Sequence, residues 1–141
     1  MKQMHILLLT LAALVGLTVA SSCISDDFTT SSSDILSFST DTLSFDTVFT
    51  DLGTPTARLK VYNRAKKSIN ITSISLTEPD TRFAINVDGL SGTSFSDIEI
   101  RGEDSIFVFV ECRLPLSATD APALTTDELQ FLTNGVRQSV T

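Results

Sequence analysis

The chain contains no tryptophan, one tyrosine, one histidine and two cysteines in 141 residues. Without tryptophan, and with Tyr62 as the only tyrosine, it has few of the flat aromatic faces on which sugar-binding modules stack their ligands. Glycan recognition by stacking is therefore not expected. The nine phenylalanines mostly fall where an apolar core would want them. Positive charge is scarce as well, with 10 basic against 17 acidic side chains and a formal net charge of −7. Nucleic acid needs a basic face that releases counterions. The only basic cluster, Arg64 with Lys66 and Lys67, reads as a hydrophilic hairpin tip, so nucleic acid is not an expected partner.

The N-terminus supplies what is present. Lys2 precedes a run from Ile6 to Ala20 that is apolar apart from Thr10, Gly16 and Thr18, and the small residues Ala20, Ser21 and Ser22 lead into Cys23. The run is shorter than the roughly 20 residues of a stable membrane-crossing helix, and its flanks are those of a cleaved signal segment. The junction resembles a bacterial lipobox, with Ala20 in the place usually held by leucine. That resemblance makes residues 1–22 a lipoprotein signal peptide and Cys23 a lipidated N-terminus. Cleavage after Ala20 by the small-x-small rule, leaving Cys23 as a free thiol, is the alternative. Each buried CH₂ of an acyl chain contributes about 0.8 kcal/mol, so several chains on Cys23 make a lasting anchor.

Removal of this segment has chemical consequences. The single histidine, His5, goes with it, which rules out Ser-His and Cys-His catalytic pairs and any histidine-ligated metal site. Loss of Lys2 leaves 9 bases against 17 acids, a balance of 9 − 17 = −8. With Cys23 lipidated, Cys112 has no disulfide partner, and an exported domain then rests on its apolar core alone. Alternation within Ile106–Cys112 points Cys112 to the same face as Ile106, Val108 and Val110, as a buried, inert thiol.

Residues 23–33 form a polar, Ser/Thr-rich stretch with Asp26 and Asp27 next to the cysteine, read as a flexible tether. The acid pair resembles the signal that sends lipoproteins of Bacteroidetes-type bacteria to the outer face of the outer membrane. A plain solvated linker accounts for it equally.

From Asp34 to Thr141 the pattern is of short strands between turns. Strand-like runs are Ile35–Phe38, Leu43–Phe49, Ala57–Tyr62, Ile69–Leu76, Phe83–Val87, Phe95–Ile100, Ser105–Leu114, Glu128–Leu132 and Val136–Val140, with turns at Asp51–Pro55, Asn63–Lys67 and Gly102–Asp104 and a connection at Pro115–Pro122. In Ile69–Leu76 the apolar phase slips between Ile71 and Ile74, which predicts a bulge or bend. Ser105–Leu114 is apolar on both faces and predicts a central strand buried on both sides. Asn134-Gly135 predicts a hairpin. The chain stops inside the last strand-like run, so the sequence is expected to be the N-terminal part of something longer.

About 110 such residues suit one all-β, immunoglobulin-like antiparallel sandwich. The segments Leu59–Asn63, Ile69–Ile74, Phe83–Asn86, Asp104–Val110 and Leu132–Gly135, in that order, resemble immunoglobulin-like domains of the Hydin/ASPM type. Phe38–Phe49 is similar to the opening of the N-terminal domain of Bacteroidetes-type surface lipoproteins that continue into a right-handed β-helix. The resemblance implies no catalytic residue, cofactor or metal. It implies a spacer or interaction module, lipid-anchored at the outer membrane.

The acids Asp97, Glu99, Glu103 and Asp104 gather near one turn, but Asp97 and Glu99 alternate with isoleucines as a solvent face does, and calcium needs six to eight converging oxygens. Asp41-Thr42-Leu43, Asp46-Thr47-Val48 and Asp104-Ser105-Ile106 resemble the O-glycosylation acceptor of the same bacteria, which makes Thr42, Thr47 and Ser105 candidate acceptors. The leading expectation is a non-enzymatic, membrane-anchored spacer that presents a downstream region. The alternative is a binding module for a surface glycan or protein. A spacer shows no aromatic patch outside its core, whereas a binder exposes one.

Overall fold

The computed structural model describes residues 27–45, 56–113 and 124–141. The signal segment, Cys23, Thr47, the Asp51–Pro55 turn and the Pro115–Pro122 connection lie outside them. Among the described residues there are nine strands: β1 Leu36–Phe38, β2 Thr56–Asn63, β3 Ile69–Leu76, β4 Phe83–Val87, β5 Leu90–Gly92, β6 Ser94–Ile100, β7 Ser105–Cys112, β8 Leu129–Thr133 and β9 Val136–Val140. They form two antiparallel sheets, ordered β1-β2-β7-β4-β5 and β6-β3-β8-β9. The protein is an all-β sandwich of immunoglobulin-like type.

Alternation makes the core. Leu59 and Val61 of β2, Ile85 and Val87 of β4 and Val108 and Val110 of β7 point inward from one sheet. They meet Ile69, Ile71 and Ile74 of β3, Ile100 of β6, Leu129 and Phe131 of β8 and Val140 of β9. The phase slip in β3 is a bulge: against β8, Ile71 pairs with Thr133 and Ser73 with Leu132, leaving Thr72 as the extra residue. Asn134 and Gly135 both have positive φ, 50° and 77°, in the tight β8–β9 hairpin. Asp88 and Gly89, at 53° and 83°, close a second such hairpin between β4 and β5. The Asp-Gly pair announces that hairpin, yet Leu90–Gly92 is too short to read as a strand.

Three expectations are corrected. The Asn63–Lys67 turn is not a hairpin tip, because β2 and β3 belong to different sheets and the turn crosses between them. Leu43–Phe45, the described part of a predicted strand, is not strand; it is tied to the chain end instead, with Leu43 N–H donating to Thr141 O at 2.7 Å and Thr141 N–H to Asp41 O at 3.1 Å. The tether is not free up to Asp34, since Asp27 and Thr29 both hydrogen-bond to Ser68 through their backbones.

A buried asparagine organises the corner where the sheets meet. Asn63 is 1% exposed; its Nδ2 donates to the carbonyls of Lys67 (2.8 Å), Ile100 (3.0 Å) and Arg101 (3.0 Å), while its Oδ1 accepts from Ala65 N–H (2.8 Å). The two turns that pass between sheets are thereby joined. Gly102 is required in this corner, because a Cβ there would collide with the Lys66 carbonyl.

Asp127 fixes the opposite end. Its Oδ1 accepts from the backbone N–H groups of Thr77 (3.1 Å), Glu78 (3.2 Å) and Glu128 (2.7 Å) and from the Thr77 hydroxyl (2.9 Å), and its Oδ2 accepts from the Thr81 hydroxyl. Burial pushes its pKa up, but the bonds from Thr81, Thr77 and Glu128 outweigh burial and hold the carboxyl below its ordinary range. A depressed native pKa adds stability above the unfolded value of about 4, and that stability disappears as pH falls through the native value. Urea titrations of the wild type and Asp127→Asn should thus differ by about 1 kcal/mol at pH 7, kept small by partial exposure, and converge toward pH 3. A gap unchanged at pH 3 contradicts the charge-based account.

Candidate functional site

β7 is central in its sheet, as its sequence predicts, with β2 on one side and β4 on the other. It is not buried on both sides. Only one face of the five-stranded sheet is covered by the second sheet. Ile106, Val108, Val110 and Cys112 take that inner face, so Phe107 and Phe109 must point outward. They are 41% and 38% exposed. Their rings lie 6.2 Å apart between centroids at 34°.

β2 supplies the neighbours. Its inner positions Leu59, Val61 and Asn63 are buried, which turns Arg58, Lys60 and Tyr62 outward. In register, Arg58 stands opposite Phe109, Lys60 opposite Phe107 and Tyr62 opposite Ser105. The Arg58 guanidinium sits 5.2 Å from the centre of the Phe107 ring. Lys60 Nζ lies between two rings, 5.1 Å from Tyr62 and 5.4 Å from Phe107, and Arg64 caps Tyr62 at 4.3 Å. Ring faces are negative and draw the cations, which keeps the long side chains laid over the aromatics and limits the entropy they lose on binding. On the far side of β7, Asn86 of β4 pairs with Phe109. Among the described residues, acids at the borders include Glu111, engaged by Arg113 at 3.3 Å, Asp104 next to Ser105, and Asp88 in the β4–β5 turn. The result is an aromatic and cationic strip on a chain whose net charge is −7.

No family of known proteins, no curated protein and no solved structure matches this chain. Any function must come from its own geometry.

The sequence candidates fall elsewhere. Cys23 and Thr47 lie outside the described residues. Thr42 is exposed, in a small turn where its N–H donates to Thr40 Oγ1 at 3.3 Å and its carbonyl accepts from the Thr40 hydroxyl at 2.8 Å. Ser105 opens β7 beside Tyr62, its N–H bonded to the Asp104 carboxylate at 2.7 Å. Asp97, Glu99, Glu103 and Asp104 do not converge, and among the described residues no three His, Cys, Asp or Glu side chains are grouped to hold a metal ion. Cys112 is a free, buried thiol. Burial pushes its pKa up, with Arg82 opposing, so it stays protonated and unreactive at neutral pH.

A shallow recess of about 450 Å³ lies between the N-terminal segment and β3, lined by Phe28, Thr29, Thr30, Asn70, Thr72 and Asn134. Its polar groups are amides and hydroxyls, with no charge to direct a ligand. Sequence reasoning did not find the aromatic strip. The signal was there in the alternation of Arg58, Lys60 and Tyr62 with Leu59 and Val61, which places two cations and a ring on one open face.

Proposed function

We propose that this protein is a non-enzymatic binding module, anchored to a bacterial outer membrane through lipidated Cys23, whose open sheet face around Phe107 and Phe109 docks a protein partner with an acidic surface. The observation that carries this reading is the exposed Phe107–Phe109 pair, with Arg58 and Lys60 both laid over the Phe107 ring. A pure spacer needs no aromatic patch outside its core, and exposed aromatic side chains beside arginine have the composition of a protein interface. Tyr and Arg are enriched among the residues that carry binding energy, and aromatic side chains bury large areas with two χ angles to fix. Charge complementarity selects an acidic partner, since Arg58 and Lys60 give the strip positive charge on an acid-rich chain. A glycan is the weaker occupant, for want of tryptophan and with one tyrosine.

The test is a titration of the protein with an acidic, leucine-containing peptide and, separately, with polygalacturonate, reading backbone amide shifts. The peptide is expected to move the amides of Arg58, Lys60, Tyr62, Phe107 and Phe109. The shifts should vanish in Arg58→Glu/Lys60→Glu, and affinity should fall at least tenfold between 50 mM and 500 mM salt, as screening of the exposed charges requires. Shifts elsewhere, or a stronger response to polygalacturonate, would replace this reading.

A further inference from the structure

The N-terminal segment is joined to the sandwich at one end. Ser68 N–H donates to Asp27 O at 3.1 Å and Thr29 N–H to Ser68 O at 2.9 Å, which makes a parallel bridge at Phe28. Lys67 Nζ lies 3.5 Å from the Asp27 carboxylate. Thr29 is buried, and its hydroxyl donates to the Asp34 carboxylate. Asn134 Nδ2 holds Asp34 O at 3.0 Å, and the Gln138 amide takes both backbone groups of Leu36, at 3.0 and 2.9 Å. From Asp27 onward the segment therefore belongs to the body.

Only Ile24, Ser25 and Asp26 stand between Cys23 and Asp27. Four Cα-to-Cα steps span at most about 14 Å when fully extended. From this covalent reach, and resting on the reading of Cys23 as the lipid anchor, we propose that the sandwich stands directly on the lipid surface. The end that carries the Asn63–Ser68 and Gly102–Asp104 turns faces the head groups, and the end that carries Thr77–Arg82 points away.

The chemistry of that end suits a phosphate-bearing lipid surface. Arg64, Lys66, Lys67 and Arg101 are exposed there with Asp27, Glu99, Glu103 and Asp104, four cations against four acids. These exposed charges balance on a chain that carries −7 as a whole, so this end meets head-group phosphates without net repulsion from its turns. Arg64 stacked on Tyr62 adds an amphipathic pair of the kind that settles at a membrane interface. The eight residues of β3 separate the two ends by about 26 Å, at roughly 3.3 Å per residue. The aromatic strip begins at the membrane end with Tyr62 and runs away from it, so a partner would be held beside the bilayer.

The experiment uses the full lipidated protein in phosphatidylethanolamine/phosphatidylglycerol vesicles that contain a head-group nitroxide lipid. A thiol-linked fluorophore is placed by Lys66→Cys or, at the other end, by Asp80→Cys; Cys112 is buried and does not compete for label. The label at position 66 is expected to be quenched several-fold more than the label at position 80. Equal quenching, or the reverse order, overturns the orientation while leaving the anchor intact. An unmodified Cys23 thiol in the intact mass, with protein absent from the vesicle fraction, overturns the anchor and the orientation together.

Discussion

Replacing Asn63 by Ala is expected to cost about 3 kcal/mol, a large part of the roughly 5–15 kcal/mol that holds a domain of this size together. The side chain is 1% exposed and serves four backbone groups at once. An amide NH₂ has two protons for three carbonyls, so one proton is shared. Truncation orphans those carbonyls together with the Ala65 N–H, and each buried group left unsatisfied costs about 1–3 kcal/mol. Arg64, Lys66 and Arg101 are exposed beside the corner, so water recovers part of the loss. Asn63→Asp separates chemistry from shape: it keeps the acceptor and the volume but sets a carboxylate against three carbonyl oxygens. Urea midpoints should show Asp nearly as damaging as Ala. A well-tolerated Asp would falsify the assignment of the Nδ2 donors as the source of stability.

Phe131→Ala is expected to destabilise by about 3–5 kcal/mol, through both lost burial and the cavity left behind. Phe131 is fully buried on β8, opposite Ile74 of β3, and its ring meets that of Phe38 at 4.9 Å and 46°. Phe38 belongs to β1 of the other sheet, so the ring pair pins the two layers across the core. Phe131→Leu keeps most of the volume and should cost under about 2 kcal/mol. Both values come from thermal and urea unfolding of the same preparation. If Ala and Leu lose the same amount, the layers are not held by the filled volume at this point. Neither substitution touches the outer strip, so the peptide-induced shifts at Phe107 and Phe109 should survive wherever the variants stay folded.

Much of the scaffold is legible because β-structure writes itself with a period of two. Leu59 and Val61 against Arg58 and Lys60 give β2, Ile85 and Val87 give β4, and the slip from Ile71 to Ile74 gives the bulge at Thr72. Asn134-Gly135 gives its hairpin because those residues tolerate positive φ. The strip is less legible. In Ile106–Cys112 both faces are apolar, and nothing within that run says which one a second sheet will cover. The pairing of β2 with β7 decides, by placing Arg58 and Lys60 next to Phe109 and Phe107.

The sequence by itself determined an all-β chain, the phases of most of its strands and the inward face of Cys112, because these follow from local alternation and turn chemistry. Tertiary structure alone decided that Asn63 reads carbonyls 37 and 38 positions away, that Asp27 and Thr29 join the body at Ser68, and that Phe107 and Phe109 face solvent, the first beneath two cations. Those outcomes depend on which segments meet across sheets, and such meetings are fixed by the packing of the whole chain and not by any window along it.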